Sequence, residues 1–161
     1  MRGVEAAPHS LAPAYAEALT SPARATRRHA REFRSVAHRM STMTHEASLR
    51  AMYTAFNARE TDAVLRQMAP DVDWPNAWEG GRAQGHEGVR DYWTRQWAAI
   101  DPAVEPVAFV TRPDGSVAVD VHQVVRGLDG SLIAEGRVIH VYAFRDALVA
   151  RMDVEELGSA D

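Results

Sequence analysis

The sequence predicts an α+β fold in which helices pack on one face of a mostly antiparallel sheet. Residues 43–100 show helical apolar spacing interrupted by one short strand pattern, whereas residues 104–156 form four strand-like runs joined by tight turns. Short turns join neighbouring antiparallel strands, so the second half is predicted to be a meander. The chain has 161 residues, of which 46% are hydrophobic, and this suffices for one such domain.

Three helices are predicted in the first part of the domain. Thr44 can cap the first helix, in which Leu49, Met52, Tyr53 and Phe56 follow the i, i+3, i+4, i+7 spacing of a buried face. The second helix is short because a proline ends it, and the third carries aromatic residues at spacing four. The three helices are predicted at about 45–58, 61–68 and 86–99.

The predicted strands begin with a short one at 71–74, which an irregular glycine-rich segment at 75–85 follows. That segment has neither a G-x-G-x-x-G pattern nor a GK[ST] ending, so the sequence does not support nucleotide binding. The remaining strands are predicted near 104–112, 116–127, 131–144 and 148–156, with turns at 113–115, 129–130 and 146–147.

Residues 1–42 differ in composition from the rest of the chain. They hold seven Arg and three Glu but few large apolar residues, so we expect a disordered Arg-rich leader or an extension upstream of a start at Met40 or Met43. An arginine-rich arm could contact nucleic acid, but this composition favours disorder over such a role. The domain itself is predicted to occupy 43–161.

Composition also restricts where the protein acts. The chain has no cysteine, which excludes disulfides and thiolate chemistry. No apolar run is long enough for a membrane span, and the first residues lack the apolar segment of a secretory signal. We therefore expect a cytoplasmic protein with no membrane partner.

The run at 116–125 carries polar residues on one face only. Val117, Val119 and Val121 point to one side of this strand, and Asp120 and His122 point to the other. We interpret the polar side as the wall of a pocket. The valines are then expected on the outer face, where a second copy of the chain would cover them.

Four segments together carry a resemblance to a known family. They are LRAMYTAFN at 49–57, MAPDVDW at 68–74, GHEGVRDYW at 85–93 and HVYAFRDALV at 140–149. In this order and spacing, residues 43–156 resemble the nuclear-transport-factor-2-like superfamily, in particular its SnoaL-like branch, which is related to ketosteroid isomerases, polyketide cyclases and limonene epoxide hydrolases. The resemblance implies a cone-shaped α+β barrel whose three N-terminal helices pack on a curved sheet around an apolar cavity, and a homodimer formed through that sheet.

The resemblance also implies site residues, with departures. Asn76 stands where the isomerases carry their base, and an amide cannot abstract a proton from carbon, so that mechanism requires Asp73 or Glu79 instead. Relative to the epoxide hydrolases, Trp74 occupies the Tyr position, Asn76 matches the Asn, Asp120 replaces the Arg, His122 replaces one acid and Asp153 matches the other. In the epoxide hydrolases that Arg bridges the two acids, and Asp120 cannot supply its positive charge. What remains is a predicted Asp153–His122 pair, in which the carboxylate orients the imidazole, or an Asp that acts directly on water or substrate.

The predicted catalytic residues are therefore Asp153, His122 and Asp120, and the predicted substrate-binding residues are Trp74, Asn76, Trp78 and His140. A structural alternative stays open for each polar residue: Asp120 and His122 could bond Arg137 or Arg151, and His140 could be a packed, hydrogen-bonded histidine. His122, His140 and Asp153 could bind a metal only if they converged, and no metal-binding motif is present, so we expect none.

Two function classes follow. The first is a cofactor-independent enzyme that applies acid and base chemistry, of the isomerase, cyclase or hydrolase type, to a small apolar molecule. The second is a non-catalytic ligand-binding or accessory domain on the same fold.

Overall fold

The computed structural model describes residues 27–157, and its chain divides into two units between Met40 and Ser41. In the first unit, residues 27–40 are helical, and the side chains from 30 to 40 are exposed. The second unit holds the remaining elements. In chain order the elements are α1 (Arg27–Asn57), α2 (Thr61–Leu65), β1 (Met68–Pro75), β2 (Arg82–Gln84), α3 (Gly85–Ala99), β3 (Ile100–Thr111), β4 (Val117–Gly127), β5 (Leu132–Arg145) and β6 (Leu148–Glu156).

The first helix begins at Arg27, well before the predicted start at about 45. Thr44 lies inside this helix and does not cap it. The chain has neither Gly nor Pro between Pro22 and Pro70, and its Ala and Arg residues favour helix, so nothing interrupts α1 before Asn57. Residues 1–26 of the predicted leader lie outside the described residues, and the predicted domain boundary stays a prediction.

Within the described residues the helices are three, but they do not all precede the sheet. The third helix, α3, follows β1 and β2 in the chain. The expectation of three N-terminal helices is therefore met only in part. The short strand β2 was not predicted, because Arg82–Gln84 lie in a segment whose glycines indicate a loop.

The sheet is open, six-stranded and mostly antiparallel, with the order β2-β1-β6-β5-β4-β3. One pair, β1 with β6, is parallel. The strands predicted at 116–127, 131–144 and 148–156 match β4 to β6 within one residue, whereas β3 begins at Ile100, four residues before the predicted start. In the centre of the sheet Val119 pairs with His140, and Val117 pairs with Tyr142.

The two faces of the sheet are the reverse of the prediction. Val117, Val119 and Val121 are at most 2% exposed, and they join residues of α1 and α3 in one apolar core. Asp120 and His122 alternate with them and face the opposite side. Burying one Val is worth about 1.5–3 kcal/mol, so the helices cover the valine side and leave the charged side to solvent.

No helix among residues 27–157 is long and apolar enough to cross a membrane.

Candidate functional site

A cavity of about 230 Å³ lies between the helices of the second unit and the inner face of the sheet. Aromatic and aliphatic side chains form most of its wall, and its polar lining residues are Tyr53, Tyr92, Gln96, Gln123, His140 and Tyr142. No Asp, Glu, Lys or Arg among the described residues lines it. An apolar cavity of about 150 Å³ can hold benzene, so this one has room for a ligand of one or two rings.

Two tyrosines and a histidine form a hydrogen-bonded chain in this cavity. Tyr142 Oη donates to Tyr53 Oη over 2.8 Å, and Tyr53 Oη lies 2.9 Å from His140 Nδ1. Tyr53 comes from α1, whereas His140 and Tyr142 lie two residues apart on β5 and so share its inner face. The helix and the sheet thus meet through this chain, and each of the three residues is at most 8% exposed.

Burial keeps all three side chains uncharged. It lowers the pKa of His140 to about 4, because the imidazolium cannot be solvated there. Burial also raises the pKa of Tyr53, with the neighbouring Tyr142 adding to the effect, and it raises the pKa of Tyr142. At neutral pH the site therefore holds a neutral imidazole and two phenols.

The direction of these hydrogen bonds assigns the tautomer of His140. Tyr53 Oη accepts from Tyr142, so its own proton is donated to Nδ1 of the neutral imidazole. The remaining ring proton then lies on Nε2. This N–H has no protein partner among the described residues, and it belongs to a cavity-lining residue, so it can donate to an oxygen of a bound molecule.

The aromatic wall of the cavity is held in shape by edge-on contacts. The rings of Trp74 and Trp93 are 5.7 Å apart and perpendicular, and Phe56 contacts Trp93 at 5.2 Å and 74°. Such geometries are favourable beyond the burial of apolar area. Trp74 and Trp93 also place two fluorescent groups in the wall.

The predicted catalytic residues of β4 lie outside the cavity. Arg137 Nε donates to Asp120 Oδ1 over 3.0 Å, and His122 Nε2 lies 2.9 Å from Glu135 Oε1. Both contacts cross from β4 to β5 on the outer face of the sheet. The contact of Asp120 is the one that the structural alternative predicts, whereas the partner of His122 is a residue we did not consider.

Asp153 also lies on the outer face and is not paired with His122. Its carboxylate accepts from Arg82 over 3.0 Å and from Arg151 over 2.8 Å. The hydrogen bond from Arg151 holds the pKa of Asp153 below its usual range, with Arg82 contributing further. The predicted Asp153–His122 pair is absent because β5 lies between the strands that carry the two residues, and each side chain contacts a nearer partner. A catalytic role for Asp120, His122 and Asp153 stays a prediction.

The predicted substrate-binding residues divide into two groups. Trp74 and His140 line the cavity and are 8% exposed each. Asn76 and Trp78 do not line it. Asn76 is buried in a loop contact, where its Oδ1 accepts from the backbone N–H of Glu79 over 2.8 Å, and Trp78 is 43% exposed.

The sequence reasoning missed Tyr53 and Tyr142 as site residues. Tyr53 belongs to the apolar stripe of the first helix, which predicts only packing in the core, and no role is predicted for Tyr142, which shares a strand face with His140. One signal was available, because a buried tyrosine hydroxyl usually finds a hydrogen-bond partner and His140 was the nearest polar residue on that face.

No group of three or more His, Asp or Glu side chains within residues 27–157 is arranged to hold a metal ion.

Comparison with known proteins assigns the family. A model of the SnoaL-like domain matches residues 49–152, which is well over half of the chain. The chain belongs to the SnoaL-like family, in the nuclear-transport-factor-2-like superfamily. Among curated protein sequences, none matches it.

Solved structures similar to this SnoaL-like chain share its fold. TerC, co-crystallised with polyporic acid, is 24% identical with a TM-score of 0.62, over 71% of this chain and 92% of TerC. A candidate polyketide cyclase from Sinorhizobium meliloti is 20% identical with a TM-score of 0.58, over 68% and 94% of the two chains. A Mycobacterium tuberculosis protein in complex with estradiol-17β-hemisuccinate is 17% identical with a TM-score of 0.61, over 71% and 95%. At these identities the likeness establishes the fold alone.

Proposed function

We propose that this SnoaL-like protein binds a small, neutral, largely apolar molecule in the cavity and acts on it without a cofactor. The observation that carries the proposal is the buried, uncharged, hydrogen-bonded chain of Tyr53, His140 and Tyr142 in a wall that is mostly aromatic and aliphatic. A charged ligand group would lose its hydration in this cavity without meeting an opposite charge. The cavity therefore favours uncharged ligands.

The chemistry proposed for this site is polarisation of a ligand oxygen. A carbonyl oxygen that accepts from His140 Nε2 becomes more negative when the adjacent carbon gives its proton to a water molecule or hydroxide ion from solvent, and the neutral donor stabilises that charge. Tyr53 holds the imidazole in the tautomer that can donate. This chemistry suits isomerisation or cyclisation of a ketone. A hydrolase would in addition have to position a water molecule.

The non-catalytic alternative has an observation in its favour. The cavity lining has no carboxylate among the described residues, and His140, with its pKa lowered to about 4, is a weak base. A protein that only binds its ligand needs neither group. The two functions agree on the ligand and differ on whether a proton moves.

Deuterium exchange of a bicyclic ketone tests the proposal. α-Tetralone incubated with the protein in deuterated water at neutral pH should exchange its protons next to the carbonyl faster than in buffer, and nuclear magnetic resonance follows the loss of signal. His140→Phe should remove the acceleration while keeping the cavity apolar. Binding of α-tetralone without acceleration would favour the non-catalytic function, and no binding at all would contradict both.

We further propose a homodimer formed through the outer face of the sheet. The valines first expected there are buried in the core, so the support is now different: Ala118, Ile139 and Val141 form a half-buried apolar centre flanked by the ion pairs of Asp120 and Asp153. Paired sheets would cover that centre.

We also propose that the sheet curves into a cone-shaped enclosure around the cavity, and that the protein is cytoplasmic.

A further inference from the structure

The cavity wall carries a further polar side chain at some distance from His140. Gln123 lies on β4 and lines the cavity, on the same face as Val119, which pairs with His140. Gln123 lies four positions after Val119, and a strand rises about 3.3 Å per residue, so the two polar positions are roughly 13 Å apart along the sheet.

The amide of Gln123 is free to meet a ligand. No hydrogen bond connects its side chain to any other described residue, although it is partly buried. The other glutamine in the lining is already used, because Gln96 Nε2 donates to Tyr92 Oη over 3.2 Å. Gln123 is thus the lining glutamine whose donors and acceptor are all unused.

A glycine beside Gln123 leaves space at this position. Gly136 on β5 is its register partner, and a Cβ added to Gly136 would have no other atom within 4 Å. Glycine inside a strand weakens the strand and often marks close approach of a ligand or of another backbone. Gly136 is exposed whereas His140 is buried, so this position lies at the rim of the cavity and His140 lies at its inner end.

We infer that the ligand is an elongated, uncharged molecule with a hydrogen-bonding group at each end, one for His140 and one for Gln123. This inference rests on the proposed function, since it assumes that the cavity binds a ligand. An apolar middle fits the wall between the two ends, where the cavity-lining Val138 lies on β5 between Gly136 and His140. Gln123 then favours ligands that carry a hydrogen-bonding group at the end that lies at the rim of the cavity.

Two biphenyl probes test this inference. One carries a hydroxyl at each end, and the other carries a single hydroxyl. Trp74 and Trp93 report binding of both by fluorescence. We expect the two-hydroxyl probe to bind about fivefold more tightly, and Gln123→Leu to remove that advantage while the single-hydroxyl probe keeps its affinity, as loss of one hydrogen bond predicts. Gln67→Leu, which changes a half-buried glutamine outside the cavity lining, is the matched control and should keep the advantage.

A second variant makes the test independent of the amide. Gly136→Val adds bulk at the rim and should weaken the two-hydroxyl probe more than the single-hydroxyl probe. If both probes bind equally to the unchanged protein, or if Gln123→Leu keeps the advantage, the inference about the outer end is overturned and the proposed function stands. If neither probe binds, the proposed function fails with it.

Discussion

At the scale of single residues, the position of His140 inside the cavity distinguishes the observed site from the predicted one. The sequence identified Trp74 through the family resemblance, and His140 as a polar residue within an apolar strand run. It placed Asp120 and His122 in the pocket for the same reason, and the structure places them outside. Alternation along a strand separates two faces, but it does not say which face the helices cover. That choice depends on how the helices pack against the sheet, which no local pattern records.

The hydroxyls of Tyr53 and Tyr142 should differ in their effect on stability. Tyr53→Phe leaves both His140 Nδ1 and the hydroxyl of Tyr142 without their partner, whereas Tyr142→Phe leaves the Tyr53–His140 bond in place. An unsatisfied buried polar group costs about 1–3 kcal/mol, so Tyr53→Phe should lower the free energy of unfolding more than Tyr142→Phe. Urea unfolding of the two variants measures this. The reverse order would contradict the assigned hydrogen-bond chain.

The stability of the protein should fall in acid partly through His140. Its pKa is about 4 in the folded protein and about 6.5 when unfolded, so between these values the unfolded state binds the extra proton. The contribution is present above pH 6.5 and is lost as pH falls toward 4, by about 3 kcal/mol in all. The free energy of unfolding, measured from pH 7 to pH 4, should fall more steeply for the unchanged protein than for His140→Phe. Equal slopes would mean that His140 titrates normally.

At the scale of elements, strand positions were more predictable than the start of α1. The strands β3, β4 and β5 each end at a turn that contains glycine or aspartate, and such turns are local features of the sequence. Residues 27–44 show no periodic apolar face of the kind that packs on a core, so apolar spacing predicts no helix there. Helix propensity extends α1 through them instead.

Removing the N-terminal part of the chain should leave the domain stable. The side chains of residues 30–40 are exposed, and the buried residues of α1 begin at Leu49. A protein starting at Met40 should melt within about 2 °C of the full chain, since a loss of 1 kcal/mol shifts the melting temperature by about 2–4 °C at this size. Differential scanning calorimetry measures the melting temperatures of the full chain and of the shortened protein. A drop of several degrees would show that the removed residues stabilise the fold.

At the scale of the whole molecule, the fold class could be predicted because local sequence patterns indicate the order of the elements and the spacing of the turns. The cavity could be expected only from the family resemblance. Its neutral lining could not be predicted, because it depends on which residues of α1, α3 and the sheet meet. An ionic partner on the outer face can also lie far away in sequence, as Arg82 does from Asp153, and no local pattern predicts such a contact.

The proposed homodimer is testable in solution. Light scattering at high micromolar concentration should give twice the mass of the 17.8 kDa chain. Val141→Arg places a charge at the centre of the outer face and should give monomers, because an unpaired charge in an interface is costly. Val107→Arg, at an exposed position of the edge strand β3, is the control and should stay dimeric. A monomeric unchanged protein would contradict the proposed dimer.

The central claim is that ligands meet His140 in the cavity and not the polar residues of the outer face. The most direct test compares the affinities of α-tetralone and tetralin, the same bicycle without the carbonyl, by fluorescence of Trp74 and Trp93. We predict that His140→Phe lowers the preference for the ketone about fivefold, as loss of one hydrogen bond implies, and that His122→Phe leaves the preference unchanged. Loss of the preference in His122→Phe, with His140→Phe unaffected, would contradict the claim.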